Sequence, residues 1–505
     1  MDDRSFQLLV LLSAVIVIAI IVLEYYWRQN RVPAGTKKLP GPKAVPQLPS
    51  KDIYLKLYEW SKKYGSIYQV DLVGTNYIWL CSHKVADDLL GKRSTIYSGR
   101  PRMATWEDNR ISMHYIPLMA YNDDYQRGIN FIRKLTQSTK EHLKQISTQE
   151  SWTLIQKLLS HPAGFKQHAE HCCARISSRI AWNDDSEATV DETLLRANDL
   201  LYRISPDGEI TNKLPILRRT PPWVPDILQP WKVAEKKRAK RERDFWLGRR
   251  DKVRNKELAG LSWMQNTLAA KSVQMSDEEV AYAVGMTALI GGVLVSSPLQ
   301  SFFLTMCLYP EWQAKAQEEL DAVCGDRAPS FDDLQSCPIV RAVIRETFRW
   351  RSPLPMGVPH VSERDDVYDG YHIPGGSVVF SLEWAINRDS TIYPDPEAFK
   401  PERWLDSKYP TYKEPLAYYP SLKGHSGFGW GRRACPGQDH SEIVDFTVIS
   451  MILWSCQICT KKDPVTGEEI LPPFLDYTPY VIVRPNWWEF DIMIRNREKF
   501  DMMNR

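Results

Sequence analysis

Residues Phe428-Gly429-Trp430-Gly431-Arg432-Arg433-Ala434-Cys435-Pro436-Gly437 decide how the chain is read. A single cysteine stands in a glycine-rich loop just before a stretch that reads as a helix. A thiolate is a strong iron ligand, and the metal itself drives its deprotonation. The three glycines let the backbone fold tightly and approach a flat ligand with no Cβ in the way. Arg433, two residues ahead of the cysteine, is placed to reach an anionic group, and Phe428 to pack beneath the loop.

These residues match F-x-x-G-x-R-x-C-x-G, and through them the chain resembles the cytochrome P450 family. Phe428, Gly431, Arg433, Cys435 and Gly437 all stand where the pattern asks. A lone cysteine in a glycine turn is usually structural; five matched positions at fixed spacing argue otherwise. The resemblance implies a mainly α fold with small β-sheets and a haem b cofactor (iron protoporphyrin IX). It implies Cys435 as the proximal thiolate, with Phe428, Arg433 and Gly437 around the cofactor. Such a thiolate pushes electron density onto the iron and favours O–O cleavage.

The chain has 505 residues and a net charge of +3, which gives no support for a nucleic-acid surface. Its 18 Trp and 34 Pro suit a large helical protein with long connecting loops. The nine cysteines show no disulfide rhythm. Cys456-x-x-Cys459 has no second pair nearby and is expected to be two buried thiols. The sequence carries no N-x-[ST] sequon, as expected of a catalytic domain facing the cytosol.

Residues 8–23 are apolar except for Ser13, and Tyr25, Tyr26 and Trp27 follow as an aromatic belt. The length suits one membrane span at 1–30, and no A-x-A-like cleavage site follows it. Arg28, Arg31, Lys37 and Lys38 lie after the span, so the positive-inside rule puts the bulk of the chain in the cytosol. A proline-rich hinge at 31–50 then leads to a catalytic domain at 51–505, an arrangement that resembles microsomal family members of the endoplasmic reticulum.

Residues 53–64 read as a helix ending at Gly65, and 67–80 as two short strands. Tyr97-Ser98-Gly99-Arg100-Pro101 is similar to the family's S-x-R-P stretch before a substrate-facing loop. The following helix usually carries W-x-x-x-R. Here Tyr125 and Ile129 occupy those places in one register, Ile129 and Arg133 in the other, so its bonds to a haem propionate are in question. Pro221-Pro222-Trp223-Val224-Pro225 reads either as a membrane-dipping tip or as a packed loop. The basic run at 236–254 reads as a solvated helix face, with acidic lipid or a reductase as the alternative contact.

Ser276 and Glu279 form a capping box, and 281–309 carries no charge. Length alone would make this a second membrane span; its hydroxyls and Gln300 favour a buried central helix. The resemblance places here a helix with [AG]-G-x-[DE]-T-[TS], whose acid and alcohol deliver protons to iron-bound oxygen. This chain has Ile290, Gly291, Gly292, Val293, Leu294 and Val295 instead. Val293 and Leu294 relay no proton. Pro298 implies a kink near Leu294, and Ser296 and Ser297 are the nearest replacement hydroxyls.

Glu346 and Arg349 fall one turn apart on an expected helix at 339–350. With Arg403 of Pro401-Glu402-Arg403-Trp404 they resemble the family's buried ionic cluster. His360 is the candidate basic partner of a propionate, or else an ordinary strand residue, and His372 reads as solvated. Residues 442–458 read as an apolar helix beneath the haem, 477–481 as a hairpin tip, and Trp487 and Trp488 as packing residues. The resemblance implies a monooxygenase of fungal biosynthesis acting on a lipophilic intermediate, served by an NADPH–cytochrome P450 reductase and bound to membrane lipid. Two alternatives stand beside it. One is an atypical member catalysing rearrangement, cyclisation or dehydration; the other is a haem-binding sensor or scaffold without turnover.

Overall fold

The computed structural model describes residues 32–502, apart from 43–47, 50, 73–74, 104, 106, 206–207, 210, 212–222 and 271–273. The expected membrane segment at 1–30 lies outside the described residues. The rest is mainly helical with small sheets.

Helix α1 (Ile53–Tyr64) stops at Gly65, whose φ of 101° suits a residue without Cβ. Strands β1 (Ile67–Leu72) and β2 (Thr75–Leu80) follow, antiparallel. They join β3 (His360–Val361) and β4 (Val378–Ser381) in a sheet of order β1-β2-β4-β3. Its edge position excuses β3 from donating a full ladder, which fits Pro359 just before it. The end of the expected hinge is docked rather than free. Lys37–Lys38 pairs with Tyr371–Ile373, and the Gln69 amide donates to the Pro40 carbonyl at 2.9 Å. A Cβ on Gly41 would fall onto the Gln69 carbonyl, so glycine is required there.

The core is built by α2 (Asp123–Ser138), α3 (Lys140–Ser160), α4 (Phe165–Trp182), α5 (Glu187–Ile204), α6 (Pro230–Arg254), α7 (Asp277–Leu294), α8 (Ser296–Leu308), α9 (Pro310–Cys324), α10 (Pro338–Trp350) and α11 (Gln438–Ser455). Helix α7 packs along α4, and α11 along α3, so these four enclose the interior. The capping box at Ser276 and Glu279 forms as the sequence predicts. Residues 277–308 are the one stretch, among those described, long and apolar enough to cross a membrane, and they are mostly buried. That is the buried central helix expected. It breaks at Val295, between α7 and α8, because Pro298 donates no backbone bond one turn back.

Four expectations fail for tertiary reasons. The helix expected through 458 ends at Ser455, and Cys456–Lys462 is a strand paired with Phe490–Ile494. Gln313 and Gln317 of α9 hold that strand: Gln313 binds both the amide and the carbonyl of Ile458 at 2.8 Å, and Gln317 the Cys456 carbonyl. On a strand, residues three apart face opposite sides, so Cys456 is buried while Cys459 is partly exposed. His372 is buried and bonds Asp365, because the Lys37–Lys38 strand covers it. Trp487 is 52% exposed, its indole N–H on the Ala163 carbonyl, while Trp488 packs as expected.

Candidate active site

The cysteine loop is held from both ends. The Cys435 amide donates to the Phe428 carbonyl at 2.7 Å, and the Phe428 ring stacks on Phe348 of α10 at 5.6 Å. Gly431 has φ 51°, and a Cβ there would lie 2.5 Å from the Leu90 carbonyl oxygen. The Gly437 amide reaches Cys435 Sγ at 3.3 Å. Eight cysteines are buried or partly buried; Cys435 alone is exposed. Protein nonetheless surrounds it densely enough to push its thiol up by desolvation, the Gly437 N–H opposing. Cys435 is thus exposed although protein packs densely around it.

Helix α7 keeps one less-buried stripe. From Val280 to Cys307 only Thr287, Ile290, Gly291 and Leu294 keep accessible surface. They are spaced i, i+3, i+4, i+7 and form one stripe. Leu294 therefore lies on this stripe, and Val293 is buried. Gly292 packs against Ala174 of α4, where an added Cβ would meet Ala174 Cα at 3.1 Å. Neither nearby serine replaces the missing alcohol. Ser296 bonds the Val293 carbonyl at 2.8 Å and Ser297 the Val483 carbonyl at 2.6 Å, both fully buried.

Three basic residues from distant segments converge beside the loop. Arg433 donates to the carbonyls of Ser98 and Met119, and its guanidinium lies 3.9 Å from the Tyr125 ring centre. Its Nη1 is buried with no partner. Arg100 donates to the Pro359 and Pro117 carbonyls at 2.7 and 3.3 Å. Burial, then the charge of Arg433, pushes Arg100 down to about 9. His360 Nδ1 lies 2.7 Å from the Tyr97 carbonyl, so that nitrogen carries the proton. Burial and then Arg100 hold the ring well below its usual value. No carboxylate bonds any of the three among the described residues; only Glu363 acts on Arg433 from a distance. The two buried guanidiniums, with no carboxylate bonded to them, form an anion site, and the neutral His360 ring lies beside them. Arg100 was not marked from the sequence, since nothing in the order of residues unites 100, 360 and 433. Arg133 is not part of the group: it is exposed, 3.5 Å from Asn130 on its own helix. Tyr125 and Ile129 are buried on the inner face of α2.

Glu346, Arg349 and Arg403 come together as one fully buried cluster. The Glu346 carboxylate accepts from Arg349 Nε and Nη2, Arg403 Nε, Trp404 Nε1 and the Lys400 amide, all at 2.7–3.0 Å. The two guanidiniums then bind carbonyls of Asn387, Pro394, Pro396 and Ala398. This ties the 387–404 segment to α10, the helix whose Phe348 supports Phe428.

The cytochrome P450 family model matches residues 33–470. The chain belongs to the cytochrome P450 family. Among curated relatives, this P450 is 30% identical over 497 residues to cytochrome P450 monooxygenase virE of Hypocrea virens, covering 94% of this chain and 89% of that protein. It is 31% identical over 498 residues to cytochrome P450 monooxygenase ple1 of Rhodocybe pseudopiperita, covering 94% and 92%. A solved zebrafish cytochrome P450, described with abiraterone, superposes with a TM-score of 0.66 at 19% identity, over 88% of this chain and all of that one. That likeness gives the fold.

The residues of this P450 fit a haem on observations of its own. Cys435 is exposed within dense surroundings, and the unpartnered Arg433 Nη1 stands with Arg100 as a match for two porphyrin carboxylates. Arg433→Leu is expected to weaken haem retention about tenfold to a hundredfold, the worth of one or two charge-assisted bonds. Competition of the loaded protein with apomyoglobin measures it; unchanged transfer would remove Arg433 from the carboxylate site.

Proposed function

We propose that this P450 is a haem-thiolate monooxygenase acting on a lipophilic natural-product intermediate in fungal secondary metabolism. An N-terminal span at 1–30 and a hinge at 31–50 anchor it in the endoplasmic reticulum, with a cytosolic catalytic domain at 51–505. An NADPH–cytochrome P450 reductase supplies electrons. The observation that carries this is Cys435, the one exposed cysteine, set among dense protein in the glycine loop that the Phe428 carbonyl and the Phe348 ring hold. The fungal relatives named as monooxygenases support the reaction class. Trp223 and Ile227, 80% and 87% exposed ahead of α6, support contact with lipid.

Bound haem supplies the oxidising chemistry. The protein's part is positioning. Cys435 would offer its sulfur to the iron, and the Gly437 N–H would stabilise the negative charge on it. Burial raises the free thiol, so coordination and deprotonation go together. Arg433 and Arg100 would neutralise the carboxylates, and His360, its Nδ1–H held by the Tyr97 carbonyl, would lie beside them as a neutral ring. Ile290 and Leu294 present an apolar wall that favours a lipophilic guest and excludes bulk water. The Glu346 cluster holds α10 and the segment that leads to the loop.

Val293 and Leu294 favour a second activity, an atypical rearrangement, cyclisation or dehydration that needs no proton relay. Feeding lipophilic pathway intermediates to cells expressing the P450 and a reductase under labelled dioxygen separates the two. Monooxygenation is expected to place one labelled oxygen in the product and to require NADPH. Product formed without label or NADPH would favour the second activity.

A further inference from the structure

A cavity of about 330 Å³ opens between α10 and the loop segments beyond residue 390. That volume falls within the range of small-molecule sites, about 300–1,000 Å³. Arg345 of α10, Tyr393, Trp404 and Tyr419 line it, with His83 and Lys413 beside them. No Asp or Glu lines it, and neither do Cys435, Arg433 or Arg100, so it is separate from the site described above.

Arg345 is the polar centre of this cavity. Its Nη1 donates to the Ser421 and Lys423 carbonyls. Its Nε and Nη2 make no hydrogen bond among the described residues, and neither is sealed from solvent. These two nitrogens form one edge of the guanidinium. Arg349 presents the same edge, Nε and Nη2, to the Glu346 carboxylate. No carboxylate pairs with Arg345 among the described residues. Glu442 acts on it from a distance, with its Oε1 given to the Leu422 amide. Tyr393 and Tyr419 both act on Arg345. Their hydroxyls also lack a hydrogen bond among the described residues, and neither is sealed off. Burial pushes the Tyr393 phenol up, so it keeps its proton and donates. The Arg345 guanidinium lies 4.7 Å from the centre of the Trp404 ring, and Lys413 Nζ lies 5.5 Å from that of Tyr419.

We propose that this cavity binds a small aromatic carboxylate, its two oxygens on Arg345 Nε and Nη2 and its ring against Trp404. The free edge of Arg345 matches a carboxylate bidentately, and a point charge would not need it. The phenol hydroxyls of Tyr393 and Tyr419 supply further donors. The aromatic walls favour a planar apolar body over a fully hydrated ion. His83 and Lys413 add cationic or polar groups, and no acid among the lining residues repels the ligand. The inference stands whether or not the P450 is a monooxygenase.

The test uses the haem-loaded protein with naphthoate, and naphthamide as the uncharged control. Calorimetry is expected to show naphthoate bound at least about tenfold more tightly than naphthamide, the worth of one charge-assisted pair. A crystal structure with naphthoate is expected to place its carboxylate on Arg345. Arg345→Met and Tyr393→Phe are each expected to weaken binding about tenfold. Should Arg345→Met fail to hold haem, Tyr393→Phe decides, since it keeps the ring and removes only the hydroxyl. Naphthoate that does not bind, that sits elsewhere in the crystal, or that binds the variants as tightly as wild type overturns the proposal. Variants that slow reductase-supported NADPH oxidation, while naphthoate leaves the cavity empty, would assign it to an acidic side chain of a protein partner and overturn the small-molecule site.

Discussion

Glu346→Ala is expected to yield protein that retains no haem, measured as loss of Soret absorbance per mole of purified chain. The carboxylate is fully buried and takes five donors, two guanidiniums among them. Removing it leaves Arg349 and Arg403 buried at 0% exposure with no counter-charge. Breaking one partner out of a buried pair costs about 3–5 kcal/mol. That is a large share of the roughly 5–15 kcal/mol that holds a folded domain together. The damage falls on α10 and on residues 387–404, hence on the Phe348–Phe428 stack that carries the cysteine loop. Glu346→Gln keeps the shape but not the charge, and is expected to lie between the two. A soluble, fully haem-loaded Glu346→Ala would show that the cluster does not secure the cofactor.

Cys435→Ala is expected to abolish reductase-supported NADPH turnover, to the background of protein without iron. The substitution removes the sulfur and little else, since only the Gly437 amide bonds to Sγ. The loop's own restraints, from Cys435 N–H to the Phe428 carbonyl and from Gly431 against the Leu90 carbonyl, survive it. The variant is therefore expected to fold, as circular dichroism would register, while losing activity. Turnover within tenfold of wild type would remove Cys435 from the chemistry.

The cysteine loop and the Glu346–Arg349–Arg403 cluster were legible in the sequence because each is written in a few residues at fixed spacing. The buried central helix was legible too: a capping box opens it, hydroxyls interrupt its apolar run, and Pro298 marks its break. The strand at Cys456–Lys462 was not, because it is held by pairing with Phe490–Ile494 and by Gln313 and Gln317, all distant in the sequence. His372 looked solvated because its cover is the Lys37–Lys38 strand. Arg100 stood inside a recognised stretch, yet its part as an anion partner depends on Arg433 and His360 meeting it in space.

The most direct test of the account is the absorption of the reduced protein under carbon monoxide. Sulfur from Cys435 on haem iron predicts a red-shifted Soret band in the wild type and its absence in Cys435→Ala. A wild type without the shift, or a Cys435→Ala variant that keeps it, would contradict the central claim that this sulfur holds the iron.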